Sequence, residues 1–106
     1  DSYRLVFEQA ENNAWQKVVF CGVSELAEIA SLRISEYGLD HIATYETGAN
    51  IKEFLDKPVW TDLNQIDTFD VLIITAFISP QAVYDELIKT VNKDKVLAPD
   101  ILGLQI

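Results

Sequence analysis

Apolar positions along the chain alternate between two spacings. Lys17–Cys21 (KVVFC) and Val71–Thr75 (VLIIT) are short continuous apolar runs, the pattern of a strand covered on both faces. His41–Tyr45 (HIATY) and Lys95–Ala98 (KVLA) read as two further strands. Lys57–Trp60 (KPVW) reads as an edge strand, because Pro58 has no N–H to give to a ladder. Helical spacing fills the intervals. Leu26, Ile29, Ala30 and Arg33 or Ile34 recur along Glu25–Tyr37, with Ser24 as N-cap and Gly38 as the stop. Ser79–Pro80 opens a second helix, as cap and first position, with Val83, Tyr84, Leu87, Ile88 and Val91 as its stripe. Leu5, Val6, Phe7 and Ala10 predict a helix from Ser2, as cap, to about Ala14. Short helical turns are expected over Ile51–Leu55 and Thr61–Phe69. The apolar tail, Ile101–Ile106, has no evident partner.

Strands separated by helices imply parallel pairing. The expected fold is therefore α/β: a three-layer, Rossmann-like sandwich with a parallel sheet of about four or five strands and helices on both faces. The expected spatial order is 3-2-1-4-5, counting KVVFC as the first strand. Residues 1–106 form one domain, in which 1–14 is an N-terminal or linker helix. Asp1–Ser2–Tyr3 lacks the basic start and apolar stretch of a signal peptide. The chain reads as a piece of a longer protein, or as one whose initiator Met was removed or replaced.

Composition narrows the classes. The 106 residues carry 8 Lys+Arg and 17 Asp+Glu, a net charge of −9. This argues against the chain itself gripping nucleic acid, where a basic face is expected. An apolar content of 49% suits a folded globule. No apolar run approaches the roughly 18 residues of a membrane helix. One Cys and one His exclude a disulfide framework and leave too few ligands for a Cys-rich zinc site. The expectation is a soluble acidic domain in a reducing, cytoplasmic compartment, with neither metal nor membrane as partner.

The chemistry-bearing stretch follows the first strand. A dinucleotide-binding turn reads G-x-G-x-x-G/A, and here Gly22-x-Ser24-x-x-Ala27 keeps the first Gly and the last small residue. Gly22, Val23, Ser24 and Glu25 are candidate ligand contacts at a helix N-terminus. Each has a structural alternative. Gly22 suits any tight strand-to-helix turn, Ser24 any N-cap, and Glu25 the helix dipole, where it repels a phosphate. Glu46, 24 residues after Gly22, stands where an acid holds ribose hydroxyls, or is a solvated loop acid. Thr75, Phe77 and Ser79 follow the strand beside the expected crevice and could touch a ring or sugar. Alternatively Ser79 only caps its helix and Phe77 is covered by another part of the protein. Tyr45, Trp60 and the tail are candidates for an interface. Cys21 ends a buried-type strand and reads as a packed thiol, with a redox role as the alternative. His41 lies at the opposite sheet end and reads as structural. Asp56, Asp62, Asp67 and Asp70 show no paired-carboxylate pattern, and no catalytic residue set emerges.

Five segments together carry a family likeness: FCGVSELAEIASLRISEYGL, HIATYE, EFLDKPVW, TFDVLIITA and VLAPDILG. From about Lys17 to Gly103 the chain resembles the Rossmann-like domain appended to bacterial winged-helix transcriptional regulators of the MarR-like class. Gly22, Glu25, Ala27, Glu28, Ala30, Phe54, Pro58, Val59, Asp70, Pro99 and Leu102–Gly103 carry the likeness. Ser24 and Asp56 depart from two of its glycines. The resemblance implies a non-catalytic ligand-sensing or oligomerisation module of a transcription regulator. Its ligand would be a nucleotide, NAD or a nucleotide-sugar at the Gly22–Ser24 turn. It would assemble as a homo-oligomer, a dimer, and meet DNA only through an upstream domain. The N-terminal lobe of sugar O-acyltransferases is similar in layout, and a ligand-free dimerisation domain is the third alternative.

Overall fold

A computed structural model describes residues 2–66 and 68–106. Asp67, one of the acids named above, lies outside them. The first helix, α1, spans Arg4–Asn12, and β1 follows at Lys17–Cys21. Next come α2 (Glu25–Ser31), β2 (Asp40–Tyr45), β3 (Glu53–Phe54) and β4 (Lys57–Trp60). The chain continues through β5 (Val71–Ile74), α3 (Pro80–Leu87) and β6 (Val96–Leu97). Single 3-10 turns occur at Ile34–Tyr37, Leu63–Gln65, Lys93–Lys95 and Asp100–Leu102.

The fold is mixed α/β around one sheet in the order β3-β4-β2-β1-β5-β6. All neighbours pair in parallel except β3 and β4, which form an antiparallel hairpin. The period-two alternation of the strands divides the core. Val18, Phe20, Val71 and Ile73 face α1 and α2, where they meet Phe7, Ala10, Ala27 and Ala30. Val19, Cys21, Leu72 and Ile74 face the other way, towards Tyr84 and Leu87 of α3. Burial on both faces is why KVVFC and VLII are unbroken apolar runs.

The structure corrects several sequence expectations. The helix expected over 25–37 ends at Ser31 and resumes as a 3-10 turn at Ile34–Tyr37. Its buried line is Ala27, Ala30 and Ile34, while Ile29 and Leu32 are exposed. Gly38, at φ 68°, closes it as expected. Ser2 does not cap α1, whose N-cap is Tyr3, with no capping bond from its side chain. Ser79 does stand at the N-cap of α3, with Pro80 at its first position, but it takes a left-handed conformation at φ 52° and its hydroxyl makes no cap bond. The helical turn expected at Ile51–Leu55 is instead β3, turned into β4 by Leu55 and Asp56, both with positive φ. Over 61–69 the described helical part is only Leu63–Gln65. The tail has partners after all. Gln105 N donates to Gln81 Oε1 at 2.8 Å, Gln81 Nε2 donates back to the Gln105 carbonyl, and Leu102 and Leu104 pack on the α3 side of the core.

Candidate functional site

The carboxyl ends of the central strands meet at Gly22. The ladder runs one residue beyond each strand: Thr75 N donates to Cys21 O, Gly22 N to Tyr45 O, and Glu46 N to Trp60 O. Gly22 has φ +128° and is fully buried, and a Cβ there would stand 2.5 Å from the Ala76 backbone. Only a glycine lets the turns after β1 and β5 approach this closely. Thr75, also buried, donates its hydroxyl to Gly22 O at 2.6 Å.

Ser24 is the N-cap of α2, as its position predicts. Its Oγ accepts from Ala27 N, and its hydroxyl donates to Thr75 O. Glu46 reaches back from the end of β2, and its Oε1 accepts from Val23 N at 2.9 Å. The Gly22, Val23 and Ala27 amides and the Ser24 hydroxyl are therefore bonded within the chain. Glu25 is exposed in the first turn of α2, a helix of seven residues.

Beside this turn lies a cavity of about 690 Å³. Its floor is Gly22, Tyr45, Glu46 and Ala76 at the strand ends. One wall is Asp62, Leu63 and Asn64, and the other is the Ala82, Val83, Glu86 and Thr90 side of α3. Ile78, on the loop after β5, borders the cavity and is largely exposed. Of the candidate ligand contacts from the sequence, Gly22 and Glu46 line the cavity, as does Tyr45, a candidate for an interface. Val23, Ser24, Glu25, Thr75, Phe77 and Ser79 do not line it. Phe77 points into solvent at 72% exposure. In the sequence Asp62 stands only among scattered acids, Val83 only in a core stripe, and Asn64, Ala82, Glu86 and Thr90 are not singled out. The α3 wall does have a signal, since Ala82, Glu86 and Thr90 recur at four-residue spacing beside the buried stripe. Asp62 is fixed by a capping box, accepting from Asn64 N while Gln65 Oε1 accepts from Asp62 N.

Acid dominates the lining. Glu46, Asp62 and Glu86 contribute carboxylates, and no Lys, Arg or His lines the cavity. Lys89 reaches Glu86 Oε2 at 3.0 Å from outside. The Tyr45 phenol is held above its ordinary pKa, first by burial, then by Cys21, Asp62 and Glu86. The charges of both acids are thus felt at the cavity floor. Cys21 is fully buried and its thiol is pushed well up by burial, so it stays protonated.

Other named residues lie away from the cavity. His41 is buried at the start of β2, stacked on Phe20 at 4.2 Å, with Nε2 3.1 Å from Thr44 Oγ1. Asp70 Oδ2 accepts from the backbone N–H groups of Gln16 and Lys17, which fastens the start of β5 to β1. Those bonds hold its carboxyl below the usual range. Among the described residues, no group of His, Cys, Asp and Glu is arranged to hold a metal ion, and no helix is long and apolar enough to cross a membrane. No family model matches the chain, and no curated protein matches it.

Proposed function

We propose that the chain is a Rossmann-like, non-catalytic ligand-sensing domain that binds a small metabolite in the cavity over the ends of β1, β2 and β5. One observation carries this reading. The cavity lies where the parallel order β4-β2-β1-β5-β6 runs to either side of β1, the crevice position for ligands in open α/β sheets. Its mixed lining suits a ligand with an apolar body and a few polar groups. The internally bonded turn argues for the cavity, rather than the Gly22–Ser24 amides, as the place of the ligand. As the sensor of a bacterial transcription regulator, the domain would respond by favouring one arrangement of a homo-oligomer over another. DNA contact would belong to another part of the protein, in keeping with the charge of −9.

Thermal melts against nucleotides, dinucleotides, nucleotide-sugars, acyl-CoA and small amines test this reading. A ligand at 100 times its Kd adds roughly 2.7 kcal/mol, several degrees in Tm for a domain of this size. Ala82 is exposed and lines the cavity, so Ala82→Trp fills it without disturbing the core and should abolish the shift. A shift that survives Ala82→Trp refutes the site.

A specific observation favours a second reading, a ligand-free dimerisation domain. Leu5, Ile29, Leu32, Phe77 and Ile78 are large apolar side chains at 53–83% exposure. Concentration-dependent mass in light scattering, with no ligand response, would favour it.

A further inference from the structure

We infer that Glu46 is a specificity-determining residue of this cavity, an internal carboxylate that restricts it to ligands bearing an amine cation and no phosphate. The inference rests on the cavity being the ligand site. Glu46 takes the Val23 N–H, the donor that an anionic group at the turn would need. Three other donors of the turn are used as well: Gly22 N by Tyr45 O, the Ser24 hydroxyl by Thr75 O, and Ala27 N by Ser24 Oγ. An incoming phosphate would have to displace Glu46 while facing Asp62 and Glu86, with no cation in the lining.

A cation meets the opposite situation. Glu46 is bonded through Oε1, and Asp62 through Oδ1. The second oxygen of each carboxylate is left to accept from an ammonium group. Glu86 is already offset by Lys89, so Glu46 and Asp62 carry most of the selection. Leu63, Ile78 and Val83 supply the apolar surface for the rest of the ligand.

Three probes share one aromatic body and differ in charge: 2-phenylethylamine, 2-phenylethanol and phenyl phosphate. Titration of each is followed by the amide shifts of Thr47, Asn64 and Thr90 in the wild type and in Glu46→Gln. Glutamine keeps a carbonyl acceptor for Val23 N and removes the charge. The amine should bind roughly tenfold tighter than the alcohol, and the phosphate most weakly. Glu46→Gln should reduce the amine-to-alcohol ratio several-fold and leave the alcohol unchanged. Tight binding of the phosphate at these amides overturns the inference and leaves the cavity reading standing. An unchanged amine-to-alcohol ratio in Glu46→Gln also overturns it. If no probe moves these amides, both the inference and the site fall.

Discussion

The hydroxyl of Tyr3 donates to the carbonyl of Ile74 at 2.8 Å, joining the start of α1 to the end of β5 across 71 residues of chain. Tyr3 is 1% exposed, and Val6, Phe7 and Ala10 continue its contact with the sheet. Helix α1, which falls in the segment expected to be an N-terminal or linker helix, thereby packs its buried face into the domain core. Tyr3→Phe keeps the ring and removes the donor. It should cost about 1–3 kcal/mol, read as a Tm lower by several degrees. An unchanged Tm would mean that the bond contributes nothing in solution.

Gly22 makes a close backbone crossing with Ala76 beneath the cavity. Gly22→Ala should cost at least about 3 kcal/mol, because the added methyl meets Ala76 backbone and the φ of +128° disfavours any L side chain. Urea unfolding measures it. A loss below 1 kcal/mol would show that the two turns can separate.

Ser24 both caps α2 and ties it to the end of β5. Ser24→Ala should destabilise by about 1–2 kcal/mol. Ser24→Gly isolates the tie to Thr75 O, since glycine is itself tolerated at an N-cap. If both variants melt with the wild type, the tie to Thr75 O is not stabilising.

His41 is buried, and burial lowers its pKa from 6.5 to about 4. The unfolded chain takes up a proton near pH 6.5, while the folded chain resists until about pH 4. Stability is therefore full above pH 6.5 and falls as the pH drops towards 4, by about 3 kcal/mol in the limit. Chemical denaturation between pH 7 and pH 4 should give a steeper decline for the wild type than for His41→Leu. Equal slopes in the two proteins would contradict the burial argument.

Much of the fold was legible because the strongest sequence patterns record burial on two faces. KVVFC and VLII had no polar face to hide, and α3 kept its stripe at Tyr84 and Leu87. What misled was local chemistry overridden by geometry. Ile51–Leu55 carries apolar residues at helical spacing, yet Leu55 and Asp56 turn the chain into a hairpin. Ser79 before Pro80 looks like a cap, but its left-handed backbone keeps the hydroxyl from the helix amides. At the site, Gly22 and Ser24 stood out because turns and caps have residue preferences. The cavity walls did not, because Asp62 and Glu86 are brought together only by the sheet between them. Glu46 was placed correctly at the end of β2, but no spacing in the sequence shows that its carboxylate reaches Val23.

The central claim is that a metabolite occupies the cavity at the β1–β2–β5 strand ends. The most direct measurement is an amide shift map of the chain with the compound that raises Tm most. The account predicts changes clustered on Gly22, Thr47, Asn64, Ala82 and Thr90. Changes centred on the other groove, around Trp15, Lys93 and Ala98, or no changes with any compound, would contradict it.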